Sequence, residues 1–266
     1  MSDDLIRLTR LLGGWLRAGG RLLLMTDYDG TLTPIVSDPA DAHLTADVRA
    51  DLQALSRSRW ARLAVISGRD LADVRARVAV GDAIYAGCHG LEIAGPGLSF
   101  THPEAEAQAD SLRAVSLALC LGAPFVEGMR VEPKRLGVAV HYRHVAASGH
   151  KTMQAMLARS LLRRGGPFKI FHGTKVIEVL PHVAWNKGRC VQWIRDRIVG
   201  PPPRSTVVLY MGDDWTDEQV FEVLADDAVT IKVGNGVPAS HAKFQLADVG
   251  RVHRFLSALA ALAAAA

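Results

Sequence analysis

The sequence predicts an α/β protein with a parallel-sheet core that is interrupted by a smaller inserted α+β unit. Short continuous apolar runs alternate with helical patterns through the first third of the 266-residue chain, and the same rhythm returns after Pro181. Between these regions the pattern changes to strands with one polar face. Strands that helices bury on both faces are apolar throughout, so the two outer regions belong to one parallel sheet, whereas alternating strands indicate a sheet covered on one side.

The first region supplies the start of the core. We predict an amphipathic helix at its N-terminus that packs on the core, because arginines and glycine pairs interrupt the apolar run that a membrane span would need. The apolar face of this helix consists of Leu5, Leu8, Leu12, Trp15 and Leu16. The strands that follow are Leu22–Met25, Leu63–Ile66 and Ile84–Ala86, and the helices between them run from the cap Thr45 to Arg57 and from Asp70 to Val78.

The middle and last regions complete the pattern. The middle region has helical periodicity over Glu104–Leu121 and His150–Arg164 and alternating strands at Gly137–His141 and Lys175–Leu180. In the last region, Asn186 caps a helix to Ile198, and strand Thr206–Met211, helix Thr216–Leu224, strand Val229–Val233 and a helical alanine-rich tail follow. We therefore predict a core formed by residues 1–97 and 181–266 and an inserted unit formed by residues 98–180.

The composition narrows the class of function. The 31 basic and 27 acidic residues leave a formal net charge of only +4, which suits an enzyme acting on anionic substrates but is not the footprint of a nucleic-acid-binding protein. Three scattered cysteines, Cys88, Cys120 and Cys190, are too few for a disulfide framework or a zinc site, which favours a reducing cytoplasm. We expect a small-molecule substrate and neither a nucleic acid nor a membrane as partner.

Three buried strands each end in a polar cluster. The first strand runs into residues 26–31, which include Asp27, Asp29 and Thr31; the second runs into Ser67-Gly68-Arg69; and the strand that begins at Thr206 runs into residues 212–218. Ligands bind at the carboxyl ends of the strands in an open parallel sheet. The three clusters are therefore expected to converge on one site.

The acidic residues of these clusters predict a divalent cation. Asp27 and Asp29 lie two residues apart in an extended segment and so face the same side. Together with Asp213, Asp214 and Asp217 they would repel one another strongly unless a cation lies among them. Mg²⁺ is the hard divalent ion favoured beside a phosphate. A plain Asp-Gly turn explains the first cluster taken alone, but not five acids that converge.

Lys187 supplies a positive side chain in the first turn of the helix that Asn186 caps. Free backbone N–H groups at that place also favour an anion, so Lys187 is predicted to neutralise a phosphoryl oxygen. From spacing alone, the alternative of an ordinary surface lysine stays open.

These motifs resemble those of haloacid-dehalogenase-like hydrolases. The first, second, third and fourth motifs of that superfamily match Asp27–Pro34, Ser67–Arg69, Lys187 and Gly212–Asp214. More narrowly, the chain is similar to trehalose-6-phosphate phosphatases. That likeness rests on Tyr85–Glu92, Val131–Lys134, His141–Arg143, Lys175–Val179 with Pro181, and Gly212–Glu218. Two positions depart from the family pattern: Cys88 stands where serine is usual, and Pro133 lies inside the Glu-x-Lys motif.

The resemblance implies a Rossmann-like core with a cap domain over the active site, and roles for single residues. Asp27 is the nucleophile and Asp29 the general acid and base, in agreement with the chemistry of paired carboxylates. Ser67 and Lys187 hold phosphoryl oxygens. The Mg²⁺ ligands come from Asp27, Asp29, Asp213, Asp214 and Asp217, with Asp217 a supporting acid rather than a direct ligand. The substrate contacts are Thr31, Gly68, Arg69, Glu132, Lys134, Arg143 and Glu178.

The resemblance further implies hydrolysis of trehalose 6-phosphate through an aspartyl phosphate, and a functional pairing with a trehalose-6-phosphate synthase. Three alternatives remain: a phosphatase for another sugar phosphate, since the inserted unit decides the sugar; a phosphomutase with the same nucleophile; and a non-catalytic sugar-phosphate sensor. The presence of both Asp27 and Asp29 argues against the sensor, because binding alone needs no proton donor.

Overall fold

The computed structural model describes residues 3–164, 166–173, 175–199, 206–235 and 239–265. The chain divides into two compact units: Met1–Ser99 with Trp185–Ala266, here the core unit, and Phe100–Ala184, here the inserted unit. These boundaries differ by a few residues from the predicted ones, which lie between residues 97 and 98 and between residues 180 and 181. None of the described helices combines the length and apolarity needed to cross a membrane.

The strands and helices follow the sequence patterns closely in the outer regions. The described strands are β1 Arg21–Thr26, β2 Ala61–Ile66, β3 Ile84–Gly87, β4 Glu92–Gly95, β5 Leu98–Thr101, β6 Arg130–Lys134, β7 Gly137–His141, β8 Phe168–Gly173, β9 Val176–Pro181, β10 Thr206–Gly212, β11 Ala228–Val233 and β12 Phe244–Leu246. The described helices are α1 Asp3–Arg17, α2 Ala46–Arg57, α3 Leu71–Val78, α4 Pro103–Glu106, α5 Ala109–Gly122, α6 His150–Arg164, α7 Lys187–Ile198, α8 Trp215–Val223 and α9 Val249–Ala265.

The core unit is built on an eight-stranded sheet with the order β12-β11-β10-β1-β2-β3-β4-β5. The first six strands in this order, from β12 to β3, pair in parallel with their neighbours, and β4 pairs antiparallel with β3. The three strands whose ends carry the polar clusters, β10, β1 and β2, are therefore neighbours. Their carboxyl ends meet at one edge, as the sequence predicts.

Helices cover both faces of this sheet. Leu22 and Leu24 of β1 enter the apolar cluster that α1, α2 and α9 complete, so the pleat directs Leu23 and Met25 to the opposite face, where α7 packs on β1 and α8 on β10. The prediction for Trp15 was wrong. It is 38% exposed and its indole N–H donates to a backbone carbonyl outside the helix, while the leucines of the same helix are buried.

Three helices of the core unit begin at a residue whose side chain caps the first turn. Thr45, Asp70 and Asn186 accept hydrogen bonds from backbone N–H groups of the first turns of α2, α3 and α7. The caps Thr45 and Asn186 were predicted, whereas Asp70 was predicted as the first residue of its helix and is its cap. Helix α8 begins one residue before the predicted Thr216, because Asp214 is its cap and forms a reciprocal capping box with Asp217.

The inserted unit is a four-stranded antiparallel sheet with the order β6-β7-β9-β8. One face packs against α5 and α6 around a core that includes Val138, Val140 and Val179. Strands β6 and β8 were not predicted. Strand β7 is buried almost throughout rather than alternating, because Ala139, on the face away from the helices, is also covered. Pro133 is tolerated because β6 lies at the sheet edge.

The helix predicted over Glu104–Leu121 is two helices, α4 and α5. The break lies at Gln108, whose backbone N–H bonds to the Ala105 carbonyl in a tightened turn and whose side chain bonds to the Glu104 carbonyl. These local bonds end the first turn and start the second helix at Ala109. Periodicity alone did not reveal this break, because both helices keep their apolar residues in phase.

Candidate active site

A buried lysine joins two of the predicted site acids. Lys187 lies in the first turn of α7 and is 2% exposed, so the surface alternative is wrong. Its Nζ donates to Asp27 Oδ1 and to Asp217 Oδ1, both at 2.6 Å. Burial would lower the pKa of Lys187, but the charges of Asp217 and Asp27 outweigh it and hold this pKa well above its ordinary value. The ammonium group is therefore charged beside Asp27.

Asp217 is an organising residue rather than an open metal ligand. Its Oδ1 accepts from Lys187 and from the Tyr210 hydroxyl at 2.6 Å, and its Oδ2 accepts from the backbone N–H groups of Asp213 at 2.9 Å and Asp214 at 3.1 Å. Carboxylate oxygens of Asp27, Asp213 and Asp217 all lie within 4.8 Å of one another. Because each oxygen of Asp217 already accepts two hydrogen bonds, Asp27 and Asp213 are the better placed pair for a cation.

The acid cluster carries more negative charge than Lys187 balances. Burial and the charges of Asp217 and Asp214 raise the pKa of Asp213 to about 8. Burial likewise raises the pKa of Asp27 well above its usual range, although Lys187 opposes the shift. Both carboxylates would be ionised without this penalty beside a hard divalent cation, so their chemistry fits such an ion.

Asp214 differs from its neighbours in this cluster. Burial alone would raise its pKa, yet the Lys187 charge and a hydrogen bond from Thr216 together hold this pKa below its ordinary value. One oxygen accepts from both the backbone N–H and the hydroxyl of Thr216, at 2.8 and 2.6 Å. Asp214 therefore fixes the start of α8 beside the site.

Gly30 allows Asp213 to approach the end of β1. The backbone of Gly30 has φ +84°, and a Cβ there would lie 2.1 Å from Asp213 Oδ2. Only glycine meets both the left-handed conformation and the close approach. The Thr31 hydroxyl donates to Asp213 Oδ1 at 3.3 Å, so the predicted substrate contact Thr31 lies on the acid cluster.

Asp29 has a different cationic partner from Asp27. Arg69 donates to both Asp29 oxygens, from Nε at 2.7 Å and from Nη2 at 2.6 Å. Burial would lower the pKa of Arg69, but the hydrogen bonds and charges of Asp29 and Asp73 together outweigh burial and raise this pKa. The first-motif carboxylates therefore face two different cations, Lys187 for Asp27 and Arg69 for Asp29. The expectation that Asp29 converges with the other four acids on one site stays a prediction.

The Ser67–Arg69 loop packs against the turn Cys88–Gly90, and the backbone of this turn is strained. Three successive residues, Cys88, His89 and Gly90, have φ of 48°, 57° and 91°. The left-handed region costs about 1–2 kcal/mol for each non-glycine residue, so other contacts must hold this turn. The His89 N–H donates to the Ser67 carbonyl at 2.9 Å, and a Cβ on Gly68 would lie 2.8 Å from the His89 ring. The turn thus sets an imidazole against the Ser67–Arg69 loop. Ser67 itself is 1% exposed.

The inserted unit has a row of polar side chains on the sheet face opposite its helices. The pairing register aligns Glu132, Ala139 and Glu178 across three strands. Lys134 and His141 lie two residues along on β6 and β7 and share that face. Lys134, 9% exposed, pairs with Glu178, and His141 Nε2 lies 2.9 Å from Glu132 Oε2. Three of the four predicted contacts of this unit are therefore brought together.

The fourth, Arg143, is exposed in the turn after β7. It lies outside the row that the register of the sheet aligns. Its proposed contact with substrate therefore has no support from pairing within the unit.

Sequence reasoning missed three residues around the site. Tyr210 is fully buried and donates to Asp217, His89 packs on Gly68, and Asp73 accepts from Arg69 at 3.0 Å. A hydroxyl in an otherwise apolar buried strand was a usable signal for Tyr210, since a buried phenol needs a partner. Asp73 lies four residues after Arg69, a spacing that pairs side chains on a helix.

The chain is similar over most of its length to known proteins. A family model described as trehalose-phosphatase matches residues 25–249. A trehalose-phosphate phosphatase of Mycobacterium ulcerans (strain Agy99) is 38% identical over 242 residues, which are 88% of this chain and 60% of that protein. The chain thus spans about 60% of the length of the curated relatives that it matches first.

Two solved structures show the fold. A trehalose-6-phosphate phosphatase related protein has a TM-score of 0.79 at 24% identity, covering 91% of this chain and 99% of that one. A haloacid dehalogenase-like hydrolase from Bacteroides thetaiotaomicron has a TM-score of 0.60 at 12% identity, covering 90% of this chain and 99% of that one. The predicted fold class, an α/β core of the haloacid-dehalogenase-like type, is confirmed.

Proposed function

The chain belongs to the trehalose-phosphatase family, and from that premise we propose that it is a phosphoric monoester hydrolase that converts trehalose 6-phosphate to trehalose and phosphate. The observation that carries the proposal is the Lys187–Asp27 pair, with Nζ and Oδ1 2.6 Å apart, among buried acids at the carboxyl ends of β1 and β10. Such a site combines a nucleophile with a fixed positive charge for an anion.

Asp27 would attack phosphorus in the first step. A bond forms between an Asp27 oxygen and phosphorus, and the bond from phosphorus to the sugar oxygen breaks. Lys187 holds Asp27 in place and balances negative charge as it shifts onto the phosphoryl oxygens. Ser67 and Thr31 would contact those oxygens through their hydroxyl groups.

Asp29 would move the proton in both steps. It donates a proton to the leaving sugar oxygen as the aspartyl phosphate forms, and it takes one from the water that then attacks phosphorus. The second step breaks the bond from Asp27 to phosphorus and releases phosphate. Two successive displacements at phosphorus thus return Asp27 to a free carboxylate and Asp29 to its protonated starting form.

A Mg²⁺ ion held by Asp27, Asp213 and the Asp29 backbone carbonyl, with Asp214 and Asp217 around them, would supply positive charge to the transferring group. The support is the excess of buried carboxylate over Lys187 and the pKa of about 8 for Asp213.

The polar row of the inserted unit is the proposed reader of the disaccharide. Glu132, Lys134 and Glu178 offer acceptors and donors that match sugar hydroxyls, and Arg143 offers a further donor. A pairing with a trehalose-6-phosphate synthase would supply the substrate. The cytoplasm suits Cys88, Cys120 and Cys190, which are unbridged.

The test is phosphate release from a panel of sugar phosphates. We expect trehalose 6-phosphate to have the highest kcat/KM, ahead of glucose 6-phosphate, sucrose 6-phosphate and an aryl phosphate. A higher kcat/KM for another sugar phosphate would replace the substrate but keep the chemistry. Binding of trehalose 6-phosphate without any phosphate release would favour the sensor, and recovery of an isomeric sugar phosphate would favour the mutase.

A further inference from the structure

The guanidinium of Arg69 is occupied by protein groups on almost every side. It donates to Asp29 through Nε and Nη2, to the Pro39 carbonyl through Nη2 at 2.9 Å, and to Asp73 through Nη1 at 3.0 Å. These bonds use four of its five N–H groups. The ring of Tyr28 lies against it, with the centroid 5.4 Å from Cζ. Arg69 is 7% exposed, whereas the Asp29 side chain is 38% exposed.

The neighbours of Arg69 are themselves anchored. Asp73 also accepts from Arg77 Nε, at 2.8 Å, and Arg77 Nη1 donates to the carbonyls of Ala40 and Ala42, each at 3.0 Å. The Arg69 side chain therefore lies in a frame that joins α3 to the loop after the first motif. A guanidinium held at so many points offers Asp29 a fixed two-point partner.

We propose that Arg69 is a positioning residue that holds the Asp29 carboxylate by this two-point contact, and that it is not a ligand of the phosphoryl group. The proposal rests on the proposed function, because it gives Arg69 a part in the proton transfers of Asp29. It replaces the substrate contact that the sequence analysis expected for Arg69.

The geometry supports positioning for two reasons. A two-point contact with a phosphoryl group needs two N–H groups, and Arg69 has one left, so it would have to release one of its present acceptors. Release of Asp29 or Asp73 would leave a carboxylate without its buried cation, which is costly. Asp29 in turn has a side chain that is more than one-third exposed, so without Arg69 it would sample several rotamers. Proton transfer requires the carboxyl oxygen within hydrogen-bond reach of the leaving oxygen, so loss of one fixed rotamer lowers kcat.

The first measurement separates positioning from phosphate binding. Arg69→Met is expected to lower kcat on trehalose 6-phosphate by about ten- to a hundredfold, with KM changed by less than about threefold. The Kd of inorganic phosphate, measured by calorimetry, is expected to stay within about twofold of the wild-type value. An increase of about tenfold or more in that Kd would overturn the proposal, because a charged hydrogen bond to phosphate would have been lost. This measurement needs no turnover.

The second measurement asks whether Arg69 acts through Asp29. Asp29→Asn alone is expected to slow the sugar phosphate by about 10²–10⁴-fold and an aryl phosphate, whose leaving group needs no proton, much less. Adding Arg69→Met to Asp29→Asn is expected to cost less than about threefold more. Losses that multiply across the two variants would overturn the proposal. An Asp29→Asn variant with wild-type rates would instead refute the proton transfers by Asp29, and wild-type protein that releases no phosphate would refute the proposed function.

Arg77→Met is the matched control. It removes an arginine that shares Asp73 and the same loop but does not touch Asp29. We expect its kcat to stay within about twofold of wild type, and a loss equal to that of Arg69→Met would overturn the proposal in favour of loop anchoring. If Arg69→Met does not fold, Arg69→Lys is the second variant, because lysine keeps the charge but lacks the planar guanidinium that forms two bonds. A loss of about tenfold in the kcat of this variant would support two-point positioning, and an unchanged kcat would contradict it.

Discussion

Each unit of the molecule contains a buried lysine paired with a carboxylate, and the charge around the two lysines differs. In the core unit Lys187 bonds to both Asp27 and Asp217, with Asp213 and Asp214 close by. In the inserted unit Lys134 forms an ion pair with Glu178. The first group carries excess negative charge, whereas this ion pair carries no net charge.

The difference indicates two kinds of ligand. A buried excess of carboxylate is stabilised by a cation, and a cation beside a nucleophile also draws in an anionic phosphoryl group. A balanced ion pair attracts no net charge, but it presents donors and acceptors that a neutral polyol can bridge. The charged group of the core unit therefore favours charged ligands, and the polar row of the inserted unit favours uncharged polar ones.

The largest effect should follow from removing the nucleophile in the charged group. We expect Asp27→Asn to lower turnover of every phosphate ester by at least about 10⁴-fold, because an amide does not attack phosphorus. Phosphate release and the thermal midpoint are the measurements. The midpoint should not fall, since one charge leaves a repulsive cluster. Turnover within tenfold of wild type would remove Asp27 from the mechanism.

A smaller effect, selective for trehalose 6-phosphate, is expected from variants in the polar row of the inserted unit. Glu178→Ala removes the ion-pair partner of Lys134, and Lys134→Ala removes that of Glu178. In each variant the remaining side chain, a proposed sugar contact that is buried or half-buried, loses this bond at a cost of about 1–3 kcal/mol. The kcat/KM for trehalose 6-phosphate should fall about ten- to a hundredfold, while slow hydrolysis of an aryl phosphate changes little.

Arg135→Ala is the control for this row, because Arg135 adjoins Lys134 but forms an exposed pair with Glu106. It should leave both substrates unchanged. A parallel fall on both substrates in the Glu178 and Lys134 variants would mean that these residues support the fold and do not read the sugar.

The smallest effect concerns stability and pH in the charged group. The pKa of Asp213 is about 8 in the folded protein and close to 4 unfolded. Between these values the folded state binds more protons, so the metal-free protein should lose stability as pH rises from about 4 to about 8. Mg²⁺ replaces those protons, so its stabilising effect should be larger at pH 8 than at pH 5. At a hundredfold excess over Kd the effect is about 2.7 kcal/mol.

Thermal unfolding with EDTA and with Mg²⁺ at the two pH values measures this linkage. Asp213→Asn provides the comparison: it should raise the stability of the metal-free protein at pH 8 and abolish the response to Mg²⁺. Equal Mg²⁺ shifts at both pH values in the wild type would contradict the linkage. Full activity after exhaustive chelation would contradict the metal itself.

The core unit was largely predictable because its signals are local. Continuous apolar runs identify β1, β2 and β10, and the caps Thr45, Asp70 and Asn186 mark helix starts through bonds within four residues. The inserted unit was harder. Its edge strands β6 and β8 are half exposed and carry no clear alternation, so only their pairing with β7 and β9 makes them strands.

The sequence by itself determined the order of strands and helices, the position of the site at the carboxyl ends of β1, β2 and β10, and the residue types that the chemistry needs. These follow from periodicity and from the direction of parallel strands, which neighbouring residues specify. Only the tertiary structure decided the partners. Asp27 bonds to a lysine 160 residues away and Asp29 to an arginine 40 residues away. Two carboxylates that look equivalent in a DxD segment are distinguished by charges that the fold brings from elsewhere, because electrostatic interactions depend on distance and burial and not on sequence separation.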